Sequence, residues 1–244
     1  MLRQLAATGI VIVLLSGCTQ APQVKTNAPN TVAAPQAITF GTPVKSAHFE
    51  DSTPRHGQIL ADAPIAIVIN FNFDLSEPSS IKVLDQSGQE YQAGKLTIDQ
   101  NKLALRQSLQ PDLPDGKYQV EYTACWPDQT CHDGQFEFAI DLSLQSSFED
   151  MTGRTAVAID LADIKFAPQK VKISRGTTVT WTNADQVSHY INTESHPYHT
   201  YFVDQNSRAL ENGDTFSTTF AEPGIYPYHC SAHADVMTGE ILVV

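Results

Sequence analysis

The sequence has few basic residues, few cysteines and no long hydrophobic run. These scarcities exclude some classes of partner and of membrane attachment. Its 244 residues contain 15 lysines and arginines against 27 aspartates and glutamates, a formal net charge of −12. Such a chain is repelled by nucleic acids and by anionic lipid surfaces, so neither is expected as a partner. The hydrophobic run between Leu5 and Leu15 is too short to cross a bilayer as a helix. The length is sufficient for two domains, and a hydrophobic content of 41% is enough to build their cores.

The first residues of the chain are typical of a secretory signal. A positive charge at Arg3 precedes the hydrophobic run, and small residues then lead directly to Cys18. This ending resembles a bacterial lipobox, which implies removal of residues 1–17 and lipidation of Cys18. The mature chain would then be anchored to a bacterial membrane and face the periplasm or the cell exterior. The alternative is ordinary signal cleavage near Gly17, in which Cys18 has no role.

The rest of the chain is predicted to form a tether and two all-β domains. Residues 18–46 carry repeated proline and alanine among polar residues without a hydrophobic period, which predicts a disordered tether. Short alternating or β-rich runs follow between turn signals, first at residues 65–73, 80–88, 103–109, 116–124 and 134–142. They predict two β-sandwiches, at residues 47–142 and 156–244, joined by a polar linker at residues 143–155.

A compact set of metal-ligating residues lies just before the last predicted strand. Cys230 is followed by His233 and Met237, and His189 lies just past the predicted strand at residues 170–183. Thiolate and imidazole ligands favour copper or zinc, and two histidines with one cysteine and a weak thioether are typical of blue-copper electron-transfer sites. In an oxidising compartment a metal also gives an unpaired cysteine a reason to stay reduced. The alternative is a buried thiol at Cys230 with ordinary surface histidines.

The second domain resembles the plastocyanin, amicyanin and pseudoazurin group of small cupredoxins. The matching motifs are Ile164-x-Phe166-x-Pro168, Gly176 to Asn183, His189, Gly213-Asp214, Phe220, Pro223-Gly224 and Tyr226-x-Tyr228-x-Cys230, with the loop from there to Gly239. The resemblance implies a Greek-key β-sandwich with one type 1 copper, held by His189, Cys230 and His233, with Met237 as the axial ligand. Tyr190 stands where many relatives have asparagine, which leaves the hydrogen bonding near the copper thiolate open.

Three more histidines lie close to these residues in the sequence. His196 and His199 belong to a predicted loop near the same end of the sandwich, where they could form a weak second metal site or a docking patch. Solvated side chains are the commoner outcome for such histidines. His229 directly precedes Cys230. In copper nitrite reductases a histidine next to the type 1 cysteine ligates a second, catalytic copper. The partner motifs of those enzymes are not found in this sequence, so strand alternation is expected to point His229 away from Cys230.

The first domain resembles the CopC family of periplasmic copper-binding proteins. The matching motifs are residues 47–57, Asp115-Gly116-x-Tyr118-x-Val120-x-Tyr122 and Gly134-x-Phe136-x-Phe138. The resemblance implies a seven-stranded, Ig-type β-sandwich. It also implies a Cu(II) site made by the amino group and imidazole of an N-terminal histidine with a downstream aspartate and histidine.

His48, Asp128 and His132 are the candidates for this second copper site. His48 lies inside the chain and has no free amino group, so the first domain is expected either to keep a modified site or to serve as a scaffold. The methionine-rich Cu(I) site of some CopC relatives is absent, because Met151 and Met237 are the only methionines beyond the signal.

The two remaining cysteines, Cys125 and Cys131, lie close together in the sequence. Export to an oxidising compartment predicts a disulfide between them that braces a loop. A thiolate site for Cu(I) is the alternative.

These features predict a membrane-anchored type 1 copper protein that transfers electrons to and from redox partner proteins. The alternative function is copper sequestration or delivery with both domains, in which the partners are copper donors and acceptors. An oxidase or reductase would need a second, catalytic copper and substrate turnover, so enzymatic activity is not expected.

Overall fold

The structure is a computed structural model that describes Gly9 and residues 37–244. Apart from Gly9, the predicted signal, the lipidation site at Cys18 and the tether up to residue 36 lie outside the described residues. Within the part of the chain that is described, no helix is both long enough and hydrophobic enough to cross a membrane.

The first half of the described chain folds into a β-sandwich of two four-stranded sheets. Its strands are β1 (Phe49–Thr53), β2 (Ile59–Leu60), β3 (Ala66–Phe71), β4 (Ser76–Asp85), β5 (Thr97–Ile98), β6 (Ala104–Ser108), β7 (Gly116–Cys125) and β8 (Cys131–Ile140). The sheets have the strand orders β1-β3-β6-β5 and β2-β8-β7-β4. The predicted strands are thus present. The structure has eight strands instead of the expected seven, and two of them, β2 and β5, have only two residues.

The second half forms another β-sandwich, so the prediction of two all-β domains is confirmed. Its strands are β9 (Glu149–Asp150), β10 (Ala156–Ala162), β11 (Lys165–Ala167), β12 (Lys170–Ile173), β13 (Thr177–Asn183), β14 (Asn192–Thr193), β15 (Thr215–Phe220), β16 (Gly224–His229) and β17 (Thr238–Val243). The strand orders are β11-β10-β13-β15 and β14-β16-β17-β12-β9. The sandwich is filled by alternating inward residues, with Trp181 of β13 fully buried at its centre.

The C-terminal end of the predicted tether is ordered, which corrects the expectation of a disordered segment up to residue 46. The backbones of Val44 and Gln135 exchange two hydrogen bonds of 2.8 Å. The physical reason is the open edge of β8, because β2 pairs only with Ala139 and Ile140. An unpaired strand edge offers free N–H and C=O groups, and the incoming chain satisfies them.

The predicted linker is also ordered, because two of its hydrophobic residues are buried in different cores. A 3₁₀ turn at Leu142–Ser147 is followed by Phe148, which packs in the core of the first sandwich. Three residues later Met151 packs in the core of the second sandwich, and β9 between them pairs with β12. The connection is therefore fixed to both sandwiches.

The sheet that contains β3 is covered on both faces, which explains why all six residues of this strand are buried. Ile67, Ile69 and Phe71 point into the core of the first sandwich. On the other face Ala66 and Val68 pack against Tyr201 and Phe202 of the second sandwich. The long segment between β14 and β15 is thus pressed against the first sandwich.

Candidate metal centre

The loop that joins β16 to β17 is a short, closed turn that begins at Cys230 and ends at Met237. The Cys230 N–H donates to the Met237 carbonyl over 2.9 Å, and the His233 carbonyl accepts from the Met237 N–H, also over 2.9 Å. A third bond of 2.8 Å from the His233 N–H to the Cys230 carbonyl tightens the turn. The three residues are therefore held side by side by backbone geometry alone.

The side chains of His189, Cys230 and His233 converge at this end of the second sandwich. The Cys230 sulfur lies 3.5 Å from Nδ1 of His189 and 3.6 Å from Nδ1 of His233. A metal about 2.0 Å from an imidazole nitrogen and about 2.3 Å from a thiolate holds those atoms roughly 3.6 Å apart at a near-trigonal angle. Cys230 is a free thiol. Its side chain and that of His189 have no exposed surface, while His233 is partly exposed. The donor set and its spacing thus fit a copper ion.

A carboxylate fixes the orientation of His189. Its Nε2–H donates to Asp185 over 2.9 Å, which leaves the Nδ1 lone pair directed at the sulfur. The backbone N–H of Ile164, together with the imidazole, holds the pKa of the Asp185 carboxyl below its usual value, so this acceptor stays ionised. Such carboxylate–histidine pairs orient metal ligands in many proteins.

The hydrogen bond to the cysteine sulfur is made by backbone. The Tyr190 N–H donates to Sγ of Cys230 over 3.3 Å. This bond does not depend on the side chain at position 190, so tyrosine in place of asparagine leaves it intact. Met237 is fully buried among the core residues next to this site.

A second cluster, which we call the histidine triad, consists of His196, His199 and His229. One ligating nitrogen of each lies within 4.8 Å of those of the other two. His229 is 1% exposed and His196 is exposed. Burial, with the neighbouring imidazoles, lowers the pKa of His199 to about 4, so its ring is neutral at pH 7. His196 is exposed, as expected for a solvated histidine, whereas His199 is partly buried against His229 of β16.

His229 and Cys230 belong to different clusters although they are neighbours in the sequence. The ring of His229 contacts the rings of His196 and His199, whereas the sulfur of Cys230 faces His189 and His233. Alternation along the end of β16 separates the two side chains in this way.

The structure does not bring His48, Asp128 and His132 together as a metal-ligating cluster within the described residues. Nδ1 of His48 is bonded to the Asn72 side chain over 2.8 Å, and the His48 ring stacks on Phe73. The hydroxyl and the backbone N–H of Thr130 both donate hydrogen bonds to Oδ1 of Asp128, and these bonds lower the pKa of the Asp128 carboxyl. The side chains of His48 and Asp128 thus already have local partners, and the exposed ring of His132 lies beside Trp126.

Cys125 and Cys131 are joined as a disulfide at the start of the hairpin between β7 and β8. Cys125, the last residue of β7, is directly opposite Cys131, the first residue of β8, in the sheet.

The two carboxylates that orient the histidines, Asp185 beside His189 and Glu194 beside His229, carry no signal in the sequence. Asp185 lies four residues before His189, a spacing that would have drawn attention in a helix but not in a loop. Glu194 lies 35 positions from His229, and only the pairing of β14 with β16 brings them together.

Comparisons with known proteins agree with this division of the chain. Residues 49–141 match the profile of the CopC domain. Residues 154–244 match that of copper binding proteins of the plastocyanin/azurin family.

One curated relative and two solved structures illustrate the similarity. Amicyanin-alpha of Methylorubrum extorquens is 34% identical over 101 residues, which are 41% of this chain and 81% of the relative. A purple cupredoxin from Nitrosopumilus maritimus is 32% identical, with a TM-score of 0.33 over 36% of this chain and 99% of that one. CopC from Methylosinus trichosporium OB3b is 23% identical, with a TM-score of 0.36 over 40% of this chain and 94% of that one.

Proposed function

Because the chain belongs to the plastocyanin/azurin family of copper-binding proteins through its C-terminal domain, which follows a CopC domain, we propose that it is an electron carrier that works outside the cytoplasm. The observation that carries the proposal is the buried triangle of one thiol sulfur and two imidazole nitrogens at 3.5 and 3.6 Å. Its cofactor is copper in a type 1 site of the second domain.

We propose that His189, Cys230 and His233 would hold the copper as its strong ligands, with the Met237 thioether as a weaker fourth ligand. Copper supplies one-electron redox chemistry at such a site. The protein's part is to hold the ligands still. Asp185 fixes His189, the Tyr190 N–H stabilises the thiolate, and the closed turn from Cys230 to Met237 fixes the remaining ligands. Ligands that cannot move suit both oxidation states, so little reorganisation accompanies each transfer.

His233 is the electron port in this proposal. It is the only one of the three strong ligands with exposed surface, since His189 and Cys230 have none. A redox partner protein that docks over this end of the second sandwich therefore approaches the metal most closely through the His233 ring.

The location outside the cytoplasm is supported by the Cys125–Cys131 disulfide, which persists in oxidising compartments. A lipid on Cys18, if attached as the sequence predicts, would keep the carrier close to membrane-bound redox enzymes. The excess of acidic residues favours partners with basic docking surfaces.

The test is visible absorption and EPR spectroscopy of the copper-loaded protein lacking residues 1–18. We expect an intense thiolate charge-transfer band that disappears in Cys230→Ser and persists in the neighbouring Ser231→Ala. Reduction and reoxidation should bleach and restore the band over many cycles. A wild-type protein without a coloured species would refute the type 1 assignment.

A second candidate function, copper sequestration or delivery, is favoured by the CopC domain at residues 49–141. The two functions differ in how firmly the type 1 copper is held. An electron carrier keeps its coloured copper when it is mixed with an excess of an apo copper-binding protein, whereas a delivery protein loses it. Measuring the band during such an incubation distinguishes them.

A further inference from the structure

The histidine triad has the spacing of a metal site. Nε2 of His199 and Nε2 of His229 are 3.2 Å apart. Two nitrogens about 2.0 Å from one metal at a near-tetrahedral angle are roughly 3.3 Å apart. The centroids of the three rings are separated by 5.1 to 5.5 Å, so they surround a common point.

His229 is oriented toward that point in the same way as His189 is oriented toward Cys230. Its Nδ1–H donates to Oε1 of Glu194 over 3.0 Å, which leaves the Nε2 lone pair for a ligand. The other oxygen of the same carboxylate, Oε2, accepts from the Arg55 guanidinium over 3.1 Å, so Glu194 is held from both sides. A carboxylate hydrogen-bonded behind an imidazole is the arrangement that fixes metal-ligating histidines.

The segment that carries His196 and His199 is held in place by the first sandwich. Asn70 of β3 donates to the Ser195 hydroxyl over 3.2 Å and accepts from the Thr200 hydroxyl over 2.9 Å. Ser195 and Asn70 are both buried. The CopC domain thus fixes the loop on either side of the two histidines, which a merely solvated loop would not need.

The other polar contacts of the triad are compatible with a bound metal. Nε2 of His199 lies 3.1 Å from the Ser231 hydroxyl, which itself donates to Asn192. In the metal-free protein the His199 Nε2 proton fits between Ser231 and His229. A metal bound at Nε2 would require the other neutral tautomer of His199, in which the ring proton is on Nδ1.

We propose that His196, His199 and His229 form a second metal site, distinct from the type 1 centre, that binds a divalent first-row transition metal and takes copper in preference to zinc. Three imidazoles without a thiolate suit Cu(II) and Zn(II), and copper binds more tightly to a given nitrogen site. Three protein ligands leave a coordination position open. The exposure of His196 places that position next to solvent.

The two sites are joined by one peptide bond, because His229 is followed directly by Cys230. The second site nevertheless does not require the first, since none of its residues ligates the type 1 copper. The proposal can therefore fail while the proposed function stands, and the reverse.

The test is copper counting on the full chain, loaded with Cu(II) and freed of excess metal. We expect about two coppers per chain. One gives the intense thiolate absorption band and its own EPR signal, and the other gives a second EPR signal and no thiolate band. His199→Gln should lose the second signal and keep the coloured one, and the intact coloured band shows that the variant is folded. His196→Gln, at an exposed position, should weaken the second site at least tenfold.

His132→Gln is the matched control, because it removes another histidine from the chain without touching the triad. It should retain both coppers. Cys230→Ser should lose the coloured copper and keep the colourless one. The proposal is overturned if the second copper is absent from the wild type, if it survives in His199→Gln, or if His132→Gln removes it. Occupation of the site by zinc from an equimolar mixture of the two metals would overturn the choice of copper.

Discussion

At the residue scale, the two clusters are built on one device, a carboxylate that fixes a buried imidazole. Asp185 holds His189 at the proposed type 1 site, and Glu194 holds His229 in the histidine triad. The hydrogen bond takes up the nitrogen on one side of the ring and so decides which nitrogen is offered to a metal. Neither carboxylate is itself in a position to ligate the metal.

Replacing Asp185 with asparagine should weaken copper binding at the type 1 site by ~10–100-fold, because the ring of His189 loses its charged acceptor. The amide oxygen can still accept backbone N–H groups, so the fold should survive. Competition titration with a copper chelator measures the effect. Asp163→Asn is the control, because Asp163 contacts Asp185 through its backbone N–H and its own side chain is exposed. This variant should bind copper like the wild type. Equal affinities for both variants would contradict the role of Asp185.

Gly239, the second residue of β17, has no room for a side chain. A Cβ atom added there would lie 2.3 Å from the ring of Tyr228, which is buried in the core. Gly239→Ala should therefore destabilise the protein by about 1–3 kcal/mol, since the ring has no room to move. Thermal unfolding of this variant and of the exposed neighbour Thr238→Ala tests the prediction. A shift no larger than that of Thr238→Ala would count against it.

At the element scale, short segments outside the long strands connect the sheets. Val44 adds to the open edge of β8, and the segment after the first sandwich buries Phe148 and Met151 in successive cores. These segments are polar on average. Each nevertheless contributes either backbone hydrogen bonds to a free strand edge or a hydrophobic side chain to a core.

Phe148→Ala should lower the free energy of unfolding by about 3 kcal/mol, because the side chain is only 8% exposed and its removal leaves a cavity. Denaturant unfolding followed by circular dichroism measures this loss. Glu149→Ala changes the exposed residue next to it and should be nearly neutral. If both variants unfold alike, the connection is not anchored as described.

At the scale of the whole molecule, the two sandwiches share a buried interface centred on Tyr201. Its hydroxyl accepts from the Ile65 N–H over 2.8 Å and donates to the Ile225 carbonyl over 2.9 Å. Arg106 of the first sandwich adds a bond of 2.9 Å to the Tyr201 carbonyl and a second bond to the carbonyl of Thr200. The interface therefore positions the same loop that carries the histidine triad.

Tyr201→Phe should destabilise the folded protein by about 1–3 kcal/mol, because the partly buried Ile65 N–H and the buried Ile225 carbonyl lose this partner. Tyr198→Phe removes a hydroxyl that contacts Glu50 at a more exposed place, and should cost much less. Melting temperatures of the two variants provide the comparison. A smaller effect for Tyr201→Phe than for Tyr198→Phe would show that the sandwiches are not coupled through this residue.

The sequence by itself determined the all-β class, the two-sandwich architecture and the residues that meet at the proposed type 1 site. Alternation within a strand is a local signal, so β3, β6 and β7 lie within two residues of their predicted bounds. The short spacing from Cys230 to Met237 likewise places these residues on one turn.

Only the tertiary structure decided what depends on contacts between distant segments. The pairing of Val44 with β8, the burial of Phe148 and Met151 in different cores, and the histidine triad all join residues that no local period relates. His199 meets His229 on a loop whose Ser195 and Thr200 are bonded to Asn70, more than a hundred positions earlier in the chain. The burial of Phe148 and Met151 and the place of the histidine loop depend on the packing of one sandwich on the other, and the sequence pattern of either domain alone does not contain that packing.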